Sequence, residues 1–370
     1  MIRRAKKVTI KDIARIVGVS TAAVSIVLNG KAGVSEDTRY KILRVARELN
    51  YTPNLLARSL VSRQSKSIAL MITNLRNAIF PEIAVGIEEV LREHDYSLIV
   101  VSTFDDEELE AKQIENIRSR GVDAVIVSSP LVDNSNIPKL VADGFPVVSV
   151  LRHVYDCEEL DFVIVDNFKG GYAAVEHLAR IGHRRIAIIS GPANTSTGIE
   201  RFKGGVQALT DYGIQIGSEY FYIGDFFRER GYLAMHYFLN FPKHKRPSAI
   251  YACNDDMAIG ALEAVLDSGL KVPDDMALVG FNNVEAASMR AIDLSTIDQL
   301  AHAMGRIAAQ RLIAKLEGVV DGEVFRKILE PRLVIRGSCG YSKTGYERPL
   351  SPKSFSLRGK EVRDVWRQGN

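Results

Sequence analysis

A chain of 370 residues, 46% hydrophobic and 25% charged, has room for two or three domains and a sizeable core. That balance excludes a disordered, collagen-like or disulfide-scaffold protein. The formal net charge of +3 hides an asymmetry: residues 1–66 carry 14 Lys+Arg against 4 Asp+Glu, a balance of +10, which leaves −7 for the remainder. A basic head on a mildly acidic body is the footprint of a polyanion partner, either nucleic acid or an anionic membrane surface. The three cysteines, Cys157, Cys253 and Cys339, have no CxxC spacing and no neighbouring His pair. They fit a reducing cytoplasm and give no metal site. No apolar run approaches the ~18–20 residues of a membrane span, and the opening MIRRAKKVTIKDIA lacks the apolar stretch of a secretory signal.

Three short helices are expected in the head. Thr9 followed by Asp12 reads as a capping box, and Ile10, Ile13, Ala14 and Val17 fall on one face of the helix it opens. Gly18 ends that helix. Ser20 caps a second, with Val24, Val27 and Leu28 turned inward. After a loop containing Asn29, Gly30 and Gly33, Ser35 opens a third helix, with Ile42, Val45, Ala46 and Leu49 on one face. Two helices joined at Gly18-Val19-Ser20 make a helix-turn-helix, whose second helix would lie in the major groove. A small protein-binding three-helix module has the same spacing; the charge favours DNA. Thr21, Ala22, Ser25 and Ile26 project away from the apolar stripe. Thr21 and Ser25 can hydrogen-bond to bases or phosphates, whereas Ala22 and Ile26 offer apolar contact such as a thymine methyl accepts. Ile26 is as readily a core residue. No Arg, Gln or Asn on this face can make a bidentate base contact, so DNA shape must contribute to specificity.

From Ser67 onward strand-like runs alternate with amphipathic stretches: Ile68–Ile72, Leu98–Val101, Ala124–Val127, Val147–Val150, Phe162–Val165, Ile186–Ile189, Ala249–Tyr251 and Ala277–Val279, with helices such as Pro81–His94 and Glu107–Arg118 between them. The alternation predicts parallel α/β sheets. Its length predicts two subdomains with a cleft, ligands binding beyond the carboxyl ends of the strands. Nucleotide-binding, zinc-protease and nucleophile-elbow motifs are missing and the histidines are scattered, so no enzyme is expected. His183 reads as structural.

The stretch from Val8 (VTIKDIARIVGVSTAAVSIVLNG) to Leu70 resembles the N-terminus of the LacI/GalR family of bacterial transcriptional regulators, and the similarity runs more loosely to about residue 340. Gly182-His183-Arg184-Arg185-Ile186 and Val279-Gly280-Phe281-Asn282-Asn283 resemble further hallmarks of that family. The resemblance implies an all-α helix-turn-helix head over residues 1–51, a hinge helix and linker over 52–66, and a periplasmic-binding-protein-like effector and dimerisation domain of two α/β lobes over 67–340. A basic, mobile tail over 341–370 follows, with Trp366 as a hint of docking and no leucine heptad for tetramerisation. It also implies a cytoplasmic homodimeric repressor of a catabolic operon, without cofactor or membrane partner, whose affinity for double-stranded operator DNA responds to a small molecule held between the lobes.

Residue by residue, the resemblance implies DNA contacts at Thr9, Ser20, Thr21, Ala22, Ser25, Ile26 and Asn29. Ala57 would lie on the minor-groove floor and Leu60 would wedge between base pairs to kink the duplex. Effector contacts are implied at Phe80, Ser128, Arg152, Arg201, Phe226, Asn254 and Asn282, with Asp255 a helix cap. The effector the resemblance implies is a sugar, a sugar acid or a sugar phosphate; many sugar-responsive relatives carry acids where this chain has Asn282 and Leu151, which argues against a simple neutral sugar. Thr195, at the place of the purine-site arginine, speaks against a purine. Two alternatives stay open: a solute-binding protein without a DNA role, and a global regulator whose corepressor is a phosphocarrier protein.

Overall fold

A computed structural model describes residues 8–28, 30, 32–49, 51, 64–215, 217–320 and 322–341. Asn29, Ala57, Leu60, the hinge helix and the tail with Trp366 lie outside the described residues. The chain separates into two compact units, Met1–Lys66 and Ser67–Asn370.

In the first unit, α1 (Ile10–Val17), α2 (Thr21–Leu28) and α3 (Glu36–Glu48) surround a small core. The Asp12 carboxylate accepts the Thr9 N–H at 3.0 Å and the Thr9 hydroxyl at 2.8 Å, closing the capping box at the positive end of α1. Gly18 takes the left-handed conformation at φ 76° and returns its N–H to Ala14, which stops the helix. Two residues on, Ser20 Oγ accepts the Ala23 N–H and starts α2. Ile13, Ala14, Val24, Val27, Ile42, Val45 and Ala46 are buried together, with Leu28 and Leu49 packed at their edge. Ile26 is not part of that cluster.

In the second unit a six-stranded parallel sheet forms the first lobe, in the order β11-β5-β4-β3-β1-β2. These strands are β1 (Ser67–Ile72), β2 (Ser97–Ser102), β3 (Ala124–Val127), β4 (Val147–Val150), β5 (Asp161–Val165) and β11 (Arg326–Leu329). Central β1 is apolar on both faces: Ile68, Leu70 and Ile72 pack under α4 (Ile79–Glu93) and α11 (Ala301–Leu316), while Ala69 and Met71 pack on the side of α5 (Glu107–Ser119) and α6 (Asn136–Ala142).

The second lobe carries a parallel sheet in the order β7-β6-β8-β9: β6 (Ile186–Ser190), β7 (Phe221–Ile223), β8 (Ala249–Ala252) and β9 (Ala277–Val279). Its helices are α7 (Asn167–Arg180), α8 (Ser196–Asp211), α9 (Arg228–Leu239) and α10 (Asp255–Asp267), and an antiparallel pair, β10 (Thr296–Asp298) with β12 (Arg332–Val334), completes it. Every expected strand is present within a residue of its predicted ends. Short β7, β10, β11 and β12 were not foreseen, since three or four residues with mixed exposure leave little apolar pattern. Cys157, Cys253 and Cys339 are buried free thiols. Among the described residues no helix is long and apolar enough to cross a membrane.

Candidate functional site

Two surfaces can carry function, one on each unit. On the head, Thr21 and Ala22 at the start of α2 are exposed, and Ser25 and Ile26 one turn later are half-buried on the side away from Val24 and Val27. Ser20 is exposed; its oxygen caps α2, which leaves its hydroxyl proton to donate. Thr9 is exposed and its hydroxyl is engaged by Asp12. Thr9, Ser20, Thr21 and Ala22 therefore stand at the N-terminal ends of α1 and α2, where backbone N–H groups and the helix dipole favour phosphate, and Ser25 and Ile26 lie one turn further along α2.

On the body, the chain passes between the lobes at Val165–Asn167, Asp298–Ala301 and Leu329–Arg332 among the described residues. Because β5 enters the second lobe at its carboxyl end, the carboxyl ends of its parallel neighbours face the same cleft. Backbone strain collects there. Phe104, Asp105, Leu151, Phe226, Asn282, Asn283 and Leu300 all have φ between 55° and 122°, each in a loop just beyond a strand's carboxyl end. For a non-glycine residue such a backbone costs about 1–3 kcal/mol and persists where surrounding structure holds it, commonly at binding sites.

Arg201 on α8 is the centre of the cleft. It is 2% exposed. Its Nε donates to Asn167 Oδ1 at 2.8 Å, Nη1 to the Cys253 carbonyl at 2.8 Å and to Asn282 Oδ1 at 3.1 Å, and Nη2 to Gln299 Oε1 at 3.0 Å. The Phe281 ring lies 3.7 Å from the guanidinium carbon. Asn167 and Gln299 belong to two of the three inter-lobe passages, so one side chain ties both hinges to α8. Gln299 Nε2 also donates to Asn282 Oδ1 at 2.6 Å.

Arg152, just past β4 in the first lobe, is equally buried; its Nη1 donates to Asp105 Oδ1 at 2.6 Å, and its guanidinium lies 5.8 Å from the Phe226 ring of the second lobe. Asn254 Nδ2 donates to the Phe226 carbonyl at 2.8 Å and its Oδ1 accepts the Met257 N–H at 3.0 Å. Arg152, Phe226 and Asn254 thus form one group and Arg201 with Asn282 another, the two meeting where Arg201 bonds the carbonyl of Cys253, the residue before Asn254. Ser128 and Phe80 stand apart from both: the Ser128 hydroxyl donates to the Met71 carbonyl at 2.9 Å, and Phe80, on the first turn of α4, is sunk in the core of the first lobe.

Asp255 corrects an expectation. Asn254 caps α10, and Asp255 is the helix's first residue, wholly buried. Its carboxylate accepts the Thr296 hydroxyl at 2.5 Å and the Val284 N–H at 2.9 Å, and burial pushes its pKa up to about 7. Asn254 wins the cap because its extended backbone turns the amide back onto Met257. Sequence reasoning missed Asn167, Gln299, Phe281 and Asp105 as partners of the two arginines. Asn167, directly after a strand at the start of a helix, was the one with a readable signal.

Two family models match the chain: residues 9–54 match one described as bacterial regulatory proteins of the lacI family, and residues 65–336 match the periplasmic binding proteins and sugar binding domain of the LacI family. The HTH-type transcriptional repressor PurR of Mannheimia succiniciproducens is 33% identical over 89% of this chain and 98% of its own length. The ribose operon repressor of Haemophilus influenzae is 32% identical with the same coverage. Among solved structures, the Lac repressor dimer bound to operator and an anti-inducer superposes with a TM-score of 0.80 at 30% identity, covering 90% of this chain and 99% of that one. The regulator CelR in complex with cellobiose gives 0.68 at 29%, covering 90% and 100%.

Proposed function

This chain belongs to the LacI family of bacterial regulatory proteins and is a DNA-binding repressor with a small-molecule effector domain; from that premise we propose how its residues divide the work. The α2 helix enters the major groove, with Thr21, Ala22, Ser25 and Ile26 toward the bases and Thr9 and Ser20 toward phosphate. Asn29, Ala57 and Leu60 extend the contact into the hinge and the minor groove. A homodimer presents two heads to a near-palindromic operator of a catabolic operon.

The effector is a sugar or sugar derivative held in the cleft by Arg152, Arg201, Phe226, Asn254 and Asn282, with Ser128 and Phe80 behind them. The observation that carries this is the Arg201 cluster, which gathers a fork of donors, an aromatic face and two hinge residues at one point. The relatives named PurR and ribose operon repressor stand at nearly the same identity, so overall similarity carries no effector assignment. Thr195 caps α8 by accepting the Gly198 N–H at 3.1 Å, which leaves no cation there for a purine. Binding in the cleft shifts the angle between the lobes and so the pairing of the hinge segments, a coupling that needs only about 1–3 kcal/mol.

Gel retardation of a fragment carrying the gene's own promoter, with the full chain and a panel of sugars, sugar acids and sugar phosphates, tests the reading. Retardation that one panel member changes is expected. Failure to retard the fragment under any condition, at low salt, refutes it.

A further inference from the structure

We infer that α2 selects its operator by the 5-methyl groups of thymine, which Ala22 and Ile26 touch in the major groove, and not by hydrogen bonds to base edges. The inference rests on α2 being the helix that enters the groove and names the chemistry it selects there.

Helix α2, Thr21–Leu28, carries no acidic, basic or amide side chain. A bidentate contact to guanine needs Arg or Lys, one to adenine needs Asn or Gln, and the cytosine amino group is read by Asp or Glu. None of these stands between Thr21 and Leu28. The polar side chains of the helix, Thr21 and Ser25, are hydroxyls. A hydroxyl both donates and accepts, so it meets either kind of base edge and discriminates weakly.

The apolar groups on the same side do discriminate. Val24 and Val27 are buried in the head's core, and Leu28 packs against it. Among the described residues Ile26 belongs to neither set: it is half-buried, one turn beyond the exposed Ala22, and stands outside both the core and the ring of residues packed on it. Ala22 and Ile26 are four residues apart and so lie one above the other on the helix, with Thr21 and Ser25 in the row beside them. One row is hydroxyl, the other hydrocarbon. A branched hydrocarbon held off the core leaves apolar surface in water until something apolar covers it. The methyl group that base pairs present in the major groove is that of thymine. Burying one methyl against hydrocarbon is worth about a fourfold gain in affinity, and a homodimer on two half-sites makes each contact twice.

For the test, the full chain first selects its operator from random duplexes, and that operator is remade with dUTP in place of dTTP, which removes every 5-methyl group and keeps base pairing and phosphates. Retardation of the two duplexes is then compared for the parent, Ile26→Val and Ile26→Ala. Thymine appears in both half-sites of the selected sequence, and the parent binds the uracil duplex about tenfold or more weakly. That ratio shrinks stepwise from the parent through Ile26→Val to Ile26→Ala, because each variant loses affinity for the thymine duplex and keeps its affinity for the uracil one. The slope of log affinity against log salt is the same for both duplexes, since the phosphate contacts are unchanged. Ile26 lies outside the core, so both variants keep the parent's melting temperature. Equal binding of the two duplexes by the parent overturns the inference. So does a ratio that is the same in all three proteins, which would place the methyl effect outside α2. Enrichment of no sequence from the random pool at low salt is a different failure: it sinks the repressor reading itself, and the inference with it.

Discussion

Asp255 shows how one side chain can make stability depend on pH. Burial raises its carboxyl from an ordinary 3.8 to about 7. Between about pH 4 and 7 the native state therefore keeps a proton that the unfolded chain has shed, and unfolding free energy falls as pH climbs through that window. Asp255→Asn fixes the neutral form while keeping an oxygen for Thr296 or Val284. Relative to the parent, the variant gains about 2–3 kcal/mol between pH 5 and pH 8. Urea melts of both proteins at the two pH values measure this, and parallel stability profiles would contradict it. His153, His177 and His183 run the other way. Burial lowers all three, so each withholds stability as pH falls below the usual histidine range.

At the scale of elements, three helix pairs in the body share one device. Gly171 of α7 lies against the Arg201 carbonyl of α8, and Gly204 of α8 lies against the Phe168 carbonyl of α7. Gly231 and Gly260 do the same for α9 and α10, and Gly86 and Gly305 for α4 and α11. A methyl at any of these points would overlap a backbone carbonyl, so each pair packs closer than side chains permit. In the first pair the approach also sets where Arg201 leaves its helix. Gly204→Ala is expected to separate α7 from α8, cost about 1–3 kcal/mol in thermal or denaturant unfolding, and weaken the effector response by moving Arg201 away from Asn167. An unchanged melting temperature would show that the two helices have room to spare. The glycines were visible in the sequence, but a glycine inside a helical pattern reads as a mild penalty until the neighbouring helix is known. The head was more legible: Thr9, Asp12, Gly18 and Ser20 act within four residues of themselves, and such caps follow from local chemistry alone.

The whole molecule joins a basic reader to an acidic sensor. The balance of +10 over residues 1–66 sits in the unit that carries α2, and the rest of the chain sums to −7. Neutralising phosphates with Lys and Arg releases counter-ions, so operator affinity is expected to fall steeply with salt, by about a thousandfold between 50 and 200 mM if six or more phosphates are contacted. Retardation measured over that range, plotted as log affinity against log salt, checks the slope; a flat line would place the binding energy elsewhere.

Alternating apolar runs, helix caps and a charge division are properties of residues close together in the chain, and they settled the helix-turn-helix head, the two-lobed α/β body and the places of its main strands along the chain. Tertiary structure alone decided what Arg201 touches. Its partners Asn167, Cys253, Asn282 and Gln299 lie between 34 and 98 residues away, and periodicity reports only that such positions are buried, never which neighbour shares the space. The same holds for Asp255, whose carboxylate meets Thr296 across 41 residues. Local sequence sets which way a backbone turns; the partner of a buried polar group is set by the fold that brings distant strand ends to one cleft.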